Sequence, residues 1–469
     1  MVPTDVVTLR HEVIVSNRSG TAVNRVSLTT LGCKLNHAET SSLERDFRQR
    51  GWTVVPFGAE SDLIVVNTCS VTENADTECR KIVRRGLRAS PSAHVAVTGC
   101  YAQLKPDVVA SIPGVTSVFG SAEKSSIPMR YSVGFSDPSS SATTPENSTS
   151  SVSVSDLSNA TFQIARTADT RSRTRAFVKL QDGCDYGCTF CTIPLARGAA
   201  RAMSLHDIRA ELLSVQERGY SEAVLTGINL GEYEHSGEGV ATPHRFVDVL
   251  RMIAHMQSDS QASFRVRISS IEPNTLTSDV IDVLASSSVF CAHVHVPLQS
   301  GSADVLKMMR RRYNPTMYRN TIERVVERIA DCGVGIDVIV GFPGETDAHF
   351  EESYAFIESL PFSYLHVFTY SERSNTPAAE YTGRVPMRIR RERTARLRAL
   401  SAERERAFAQ RMVGTARIVL PEGYDVMSRL NNALTDNYVR VHIKSESPMH
   451  KTLTPVIISE LTDTHVMAI

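Results

Sequence analysis

The sequence predicts an α/β protein of three units: an N-terminal doubly wound α/β domain, a central β/α barrel, complete or partial, and a small C-terminal β-barrel-like domain. Three observations predict it. Short runs rich in Val, Ile and Leu alternate with helical patterns over residues 25–131 and again over 170–411, which implies parallel strands joined by crossover helices. A stretch of mostly Ser, Thr, Pro, Asn and Asp over residues 132–165 lies between the two. After Gly414 the helical pattern gives way to short β-like runs through residue 469.

Composition bounds the function classes. The 469 residues leave room for about two to four domains. Hydrophobic residues at 42% and charged residues at 22% argue against wholesale disorder, collagen-like repeats and coiled coil. Lys+Arg and Asp+Glu are both 51, so any phosphate-binding surface must be local. No apolar run approaches the ~18 residues of a membrane span, and the opening MVPTDVVTLRHEVIVSNRSG is interrupted by Asp5, Arg10, His11 and Glu12. A soluble, non-secreted, cytoplasmic chain with no membrane partner is expected. Nine cysteines are too few for a disulfide scaffold and odd in number, so clustered thiols point to metal or redox chemistry.

In the N-terminal unit, residues 25–29, 63–67 and 94–98 read as strands, and 38–49 and 76–89 as helices. A cysteine follows each strand: Cys33 in TLGCKLN, Cys69 in NTCSVT and Cys100 in TGCYAQ. The carboxyl ends of strands form the ligand crevice of open α/β sheets, so these three should converge. The Ser-rich stretch, with almost no large apolar side chains, cannot offset the entropy of ordering and reads as a flexible linker. Central strands are expected at 176–180, 222–226, 265–269, 293–297, 335–340 and 365–370. Six such strands suggest a barrel with its site at the strand C-terminal ends; a second doubly wound sheet is the alternative. One intervening helix is clearly marked, with Ser204 as N-cap, Asp207 at the capping-box position, Leu205, Ile208, Leu212 and Val215 on one face, and Gly219 as stop. Beyond Gly414, TARIVLPE, DNYVRVHIKS and LTPVIISE read as strands.

Directly after the first central strand comes KLQDGCDYGCTFCTIPLARG, which spaces Cys184, Cys188 and Cys191 as C-x3-C-x2-C. Three thiolates on a loop eased by Gly183 and Gly187 can hold three irons of a 4Fe-4S cubane and leave the fourth open. Structural zinc needs four closed ligands, and no further Cys or His lies within ten residues on either side. The cluster is therefore the preferred reading. By the same count Cys33, Cys69 and Cys100 bind a second cluster, against the alternative of buried thiols. Cys79, Cys291 and Cys332 read as buried structural thiols. His293 and His295 share one strand face and read as satisfied barrel histidines. Two basic stretches, Arg80 to Arg88 and Arg388 to Arg411, read mainly as solvated helix faces, with some arginines meeting phosphate.

The C-x3-C-x2-C loop after the first barrel strand resembles the radical S-adenosylmethionine superfamily. The two-part arrangement resembles its methylthiotransferases, which join an N-terminal three-cysteine domain, a radical barrel and a C-terminal TRAM-type β domain. TLGCKLNHAET, VVNTCSVTENAD, TGCYAQ, VLTGINLG, RISSIEP, HVPLQSGSADVLKMMRRRY, DVIVGFPGET and HVFTYSERSNTPAA look like that family's segments in its order. TLGCKLNHAET, TGINLG and TDNYVRV look most like the branch acting on N6-threonylcarbamoyladenosine at position 37 of tRNA. Other branches act on isopentenyladenosine in tRNA or on a ribosomal-protein aspartate, and these remain the alternatives. The Ser-rich stretch, the segment before Arg25 and Ala433, where glycine is more usual, depart from the family pattern.

The resemblance implies two 4Fe-4S clusters and S-adenosylmethionine. Cys184, Cys188 and Cys191 would hold the cluster whose open iron binds S-adenosylmethionine and reduces it to methionine and a 5′-deoxyadenosyl radical. Phe190 matches the apolar position beside the adenine. Cys33, Cys69 and Cys100 would hold the auxiliary cluster carrying the inserted sulfur. The implied partners are the tRNA anticodon loop and an electron donor, and the implied product is the 2-methylthio derivative of the adenine. A non-enzymatic, zinc-stabilised RNA-binding protein is the remaining competitor.

Overall fold

The computed structural model describes residues 24–70, 75–131, 150–167, 174–237, 242–258 and 264–469. Its N-terminal unit is a parallel sheet of β1 (Arg25–Thr30), β2 (Thr53–Val55), β3 (Leu63–Thr68), β4 (His94–Gly99), β5 (Ser117–Phe119) and β6 (Ser151–Ser153), in the order β2-β1-β3-β4-β5-β6. Helices α1 (Lys34–Gln49), α2 (Ala75–Ala89), α3 (Cys100–Leu104), α4 (Pro106–Ala110) and α5 (Ile127–Arg130) connect and cover it. The period-2 alternation of β3 explains why both faces need helices. Leu63 and Val65 pack with Leu43 and Phe47 of α1, while Ile64 and Val66 pack with Cys79 and Val83 of α2. The strand order reverses between β1 and β3, which opens a crevice at their carboxyl ends.

The Ser-rich stretch departs from the linker expectation at its C-terminal part. Ser151–Ser153 is an edge strand paired with β5, and Leu157 and Ala165 are buried. A sheet edge recruits a segment through backbone N–H and C=O groups, which serine carries as well as valine does. Here Ser150 also donates to Val115 O at 2.8 Å, and Ser151 and Ser117 hydroxyls lie 2.9 Å apart. Residues 132–149 lie outside the described residues.

The central unit contains β7 (Ala176–Lys179), β8 (Gln181–Asp182), α6 (Ile193–Arg197), β9 (Arg201–Ala202), α7 (Leu205–Glu217), β10 (Glu222–Thr226), β11 (Glu234–His235), β12 (His244–Arg245), α8 (Phe246–Ser258), β13 (Arg265–Ile268), α9 (Ser278–Ser286), β14 (His293–His295), α10 (Ala303–Met308), α11 (Pro315–Arg328), β15 (Gly333–Val340), α12 (Asp347–Glu358), β16 (Tyr364–Thr369) and α13 (Met387–Met412). Two parallel triplets, β7-β10-β13 and β14-β15-β16, are joined by the bridges Val266↔Phe290 and Ser270↔His295. Sequence neighbours are spatial neighbours throughout. That winding makes a partial barrel of six strands and excludes the second doubly wound sheet, whose order would reverse. At α7 the Ser204 hydroxyl accepts from the Asp207 N–H at 3.0 Å and lies 2.6 Å from its carboxylate, as the capping pattern predicts.

Most arginines of α13 lie on a solvated face, as expected, and two do not. Arg390 and Arg393 are buried: Arg390 donates to Val385 O and Tyr370 O, and Arg393 pairs with Glu345 and Asp347. Leu397 and Leu400 join the barrel core beside Leu365 and Val367 of β16. The helix is a strut against the last barrel strand, its arginine stems covering apolar surface while the heads find carbonyls and carboxylates.

The C-terminal unit is a closed barrel of β17 (Ala416–Asp425), β18 (Leu430–Thr435), β19 (Arg440–Lys444), β20 (Thr454–Leu461) and β21 (Val466–Ala468). It plugs the lower end of the central barrel. Arg265 donates to Ile418 O and Leu434 O at 2.7 and 3.0 Å, and Arg267 to Asp436 O and Thr435 O at 2.9 and 3.0 Å. Tyr438, at φ 75°, stacks on His293 with centroids 4.3 Å apart. Between the two arginines sits fully buried Glu222, 2.7 Å from Arg265 Nε and 2.9 Å from Arg267 Nε.

Burial pushes the Glu222 carboxyl up, but the Arg267 and Arg265 guanidiniums outweigh it and hold it at about 2. A depressed folded value means that this stabilisation is complete above the usual glutamate range and is lost as pH falls toward 2. Glu222→Gln leaves two buried guanidiniums short of their counter-ion and is expected to cost about 3–5 kcal/mol. Denaturant unfolding at neutral pH checks it, and an unchanged midpoint would show that Glu222 does not secure this joint. No helix among the described residues is long and apolar enough to cross a membrane.

Candidate active site

The carboxyl edge of the N-terminal sheet brings the three dispersed cysteines together. Cys33 is the N-cap of α1, Cys69 directly follows β3, and Cys100 opens α3 directly after β4. Gly32, at φ 103°, lies so close to Cys69 that a Cβ there would stand 2.6 Å from its sulfur. Only glycine lets the chain place Cys33 beside Cys69 in this way. Cys33 and Cys100 lie within electrostatic reach of each other, and both of Arg197.

The second set sits on the loop between β8 and α6. Gly183 precedes Cys184 at φ 70°, where a Cβ would meet Ala199 O at 1.9 Å. Gly187 lies in open space, so only the first of the two expected glycines is sterically required. Each sulfur receives a donor: Tyr186 N–H to Cys184 and Ile193 N–H to Cys191 at 3.4 Å, and Arg311 Nη1 to Cys188 at 3.1 Å. Burial pushes the Cys184 thiol up to about 11 and the Cys191 thiol up to about 12. Arg311 also pairs with Glu272 of the loop after β13.

Each set offers three free thiols, the number that a cubane with one open iron takes. Among the described residues the group of metal-ligating atoms that all fall within 4.8 Å of one another is His295, Asp337 and His366, not either cysteine set. The mouth beside Cys184, Cys188 and Cys191 also suits a polar nucleoside cofactor. Ser269 Oγ, Asn274 Oδ1 and Tyr370 Oη are buried without a hydrogen-bond partner. Half-buried Phe190 packs edge-on against fully buried Phe342 at 6.5 Å, and Phe342 against Tyr370 at 5.4 Å, so Phe190 stands on a fixed aromatic base.

A buried charge network joins the two sets. Arg197, 1% exposed and six residues after Cys191, donates to Glu39 and Asp182 at 2.8 and 2.9 Å and to Asn36 Oδ1 at 2.6 Å. Lys179 bonds Glu39 and Asp182 at 3.1 and 2.7 Å, and Lys124 pairs with Glu39. Helix α3, begun by Cys100, packs on α6, and α1 packs on β7. Burial pushes the Glu39 carboxyl up, yet the cations around it hold it well below the usual carboxylate range.

Sequence reading missed this network. A faint signal exists in α1, where Asn36 and Glu39 interrupt the buried stripe of Leu35, Ala38 and Leu43. Also missed were Glu272, Arg311 and the ring of His295, Asp337 and His366 inside the barrel. His293 and His295 are buried and bond Tyr364 and Asp337 at 2.9 and 2.8 Å, the satisfied barrel histidines expected. Cys79, Cys291 and Cys332 are buried.

Comparison with known proteins accords with this geometry. The family model described as the Radical SAM superfamily matches residues 178–357, and that of Uncharacterized protein family UPF0004 matches residues 25–120. The solved structure of the radical S-adenosylmethionine methyltransferase TsrM from Kitasatospora setae shares the fold, with TM-score 0.53, 15% identity and coverage of 76% of this chain and 74% of that one. The class is thus a radical S-adenosylmethionine enzyme extended by a second three-cysteine domain. The Bacillus subtilis protein threonylcarbamoyladenosine tRNA methylthiotransferase MtaB is 35% identical over 90% of this chain and 91% of its own. The tRNA-2-methylthio-N(6)-dimethylallyladenosine synthase of Corynebacterium efficiens is 33% identical over 87% and 76%. The chain belongs to the MtaB family of tRNA methylthiotransferases.

Proposed function

We propose that this chain converts N6-threonylcarbamoyladenosine at position 37 of tRNA to its 2-methylthio derivative in the cytoplasm, with an external electron donor. The single observation carrying the reading is that the fold sets two three-cysteine edges side by side, α3 on α6, with Arg197 between them. Cys184, Cys188 and Cys191 would hold one 4Fe-4S cluster with S-adenosylmethionine, and Cys33, Cys69 and Cys100 the other. When bound, these groups supply the one-electron reduction, the hydrogen abstraction and the sulfur, chemistry suited to a C2–H bond too weakly acidic for an ordinary base.

The chain's own residues do the positioning. Arg311 and the Tyr186 and Ile193 N–H groups direct positive charge at the sulfurs, which favours the thiolate form a metal requires. Half-buried Phe190, backed by fully buried Phe342, would offer the adenine an apolar face. The network of Arg197, Glu39 and Asp182 fixes the distance and orientation between the two edges, so that substrate held by one faces the other.

The threonylcarbamoyl group is polar and carries a carboxylate, whereas isopentenyl is apolar, so a site built for the first leaves polar groups unpaired against the second. Turnover of tRNA carrying threonylcarbamoyladenosine is expected to exceed that of the isopentenyl form by a factor on the order of 10⁴. Nucleoside mass spectrometry after reaction with each tRNA checks it, and equal turnover would overturn the substrate assignment. The same relation to a dimethylallyladenosine synthase at 33% identity makes that comparison the discriminating one.

A further inference from the structure

The turn that follows α10 closes over the cysteine loop. Met309 ends that helix, and the next two N–H groups turn back on it. Arg310 donates to Lys307 O at 3.0 Å and Arg311 to Leu306 O at 2.9 Å, with Arg310 at φ 55° where glycine is usual. The turn is tied to the loop through Thr189 and Arg312. Thr189 N–H donates to Met309 O at 3.2 Å and the Thr189 hydroxyl to Met308 O at 3.0 Å, while Arg312 donates to Asp185 O at 3.1 Å and its guanidinium covers the Tyr186 ring at 3.9 Å. Between these ties Arg311 meets a sulfur. Its side chain is 4% exposed and every nitrogen of its fork is engaged: Nη1 donates to Cys188 Sγ at 3.1 Å, Nε to Tyr313 Oη at 3.0 Å, and Nη2 to the Glu272 carboxylate. Tyr313 is held in turn by Pro297 O and Leu298 O at 2.9 and 2.8 Å.

A guanidinium fixed against one sulfur acts on the electron that a cluster there accepts. Net charge and hydrogen bonds to the sulfurs set the potential of an iron-sulfur centre, and reduction adds one negative charge, which a cation beside the sulfur stabilises. Glu272, paired with the same guanidinium, opposes it. We infer that Arg311 is the positioning residue that raises the reduction potential of the cluster on Cys184, Cys188 and Cys191, and that Glu272 holds its fork in place while offsetting part of its charge. The inference rests on the assignment of a cluster to those three cysteines. It gives Arg311 a task that the cysteines cannot perform, which is to bring the one-electron reduction within reach of the external donor. An ammonium in its place would keep the charge but lose the planar fork that spans sulfur, phenol and carboxylate at once.

The test is a mediated potentiometric titration of the iron- and sulfide-loaded enzyme. It follows the electron paramagnetic resonance signal that S-adenosylmethionine alters, which separates this cluster from the auxiliary one. At the wild-type midpoint potential, Arg311→Met is expected to lower the ratio of reduced to oxidised cluster about tenfold, a shift of ~59 mV for one electron. Arg311→Lys is expected to fall between that variant and the wild type, and Glu272→Gln to shift the ratio the opposite way. Arg311→Met combined with Glu272→Gln restores the net charge but not the bond to sulfur, and is expected to recover part of the loss. A packing role would not reverse sign between the two single substitutions. An unchanged ratio in Arg311→Met with iron and sulfide intact, or shifts of the same sign in Arg311→Met and Glu272→Gln, would overturn the inference. So would loss of the cluster from all four variants, which would make the pair a support for the ligands and not a control on the electron. A signal that still responds in full to S-adenosylmethionine after Cys184→Ala would overturn the cluster assignment itself, whatever the Arg311 variants show.

Discussion

Replacing Cys184, Cys188 or Cys191 singly by alanine is expected to reduce 5′-deoxyadenosine formation from S-adenosylmethionine to background. Each sulfur is one of three, and no further cysteine of this loop stands in reserve among the described residues. Arg311 beside Cys188 is a cation, and Glu272 behind it is engaged by that same guanidinium. The remaining groups aimed at the sulfurs are the N–H donors of Tyr186 and Ile193, which support a thiolate and cannot replace one. Iron and sulfide are expected to fall together by about one cluster per chain. Product formation at the wild-type rate in any of the three variants would remove this loop from the chemistry. A rate loss with full iron would instead mean that the cysteine acts on substrate.

Replacing Cys33, Cys69 or Cys100 is expected to eliminate the methylthio product while cleavage of S-adenosylmethionine stays measurable. The reason is architectural. These cysteines stand beyond the strand ends of a separate sheet with its own two cores, one against α1 and one against α2, so the central barrel and its loop keep their supports. The shared element is Arg197, which Glu39, Asp182 and Asn36 still hold when a sulfur is gone. Anaerobic reaction with substrate tRNA, followed by mass spectrometry for methylthio nucleoside and chromatography for 5′-deoxyadenosine, separates the two activities. A variant that still makes full product would remove the auxiliary set. Loss of both activities with the first cluster's iron intact would mean that the two edges work as one unit.

Some features were legible because they are local. Strand and helix alternation, the Ser204 cap and the C-x3-C-x2-C loop each depend on residues within a turn or two, and the structure has these elements where they were expected, most ends shifted by one or two residues and α1 beginning four residues earlier. The convergence of Cys33, Cys69 and Cys100 was legible too, since parallel β1, β3 and β4 bring their carboxyl ends to one edge wherever the chain between them goes.

Composition misled where backbone or charge pairing outweighed it. Ser151–Ser153 became an edge strand through main-chain pairing aided by serine hydroxyls, and Arg390 and Arg393 were drawn inward by carbonyls and carboxylates. Arg197 is the sharpest case. In PLARG it looks like any arginine beside a glycine, and it is buried because Glu39, 158 residues earlier, and Asp182 close around it.

By itself the sequence determined the two cysteine sets, the order of strands and helices and the three units, since these follow from spacing and periodicity along one stretch of chain. Only the tertiary structure decided that six strands make an open barrel, that α3 and α6 bring the two edges together, and that His295 and His366 close on Asp337 from different strands. Burying a charge is favourable only when its counter-charges arrive from elsewhere in the chain, so neither burial nor partner can be read from the residues around it.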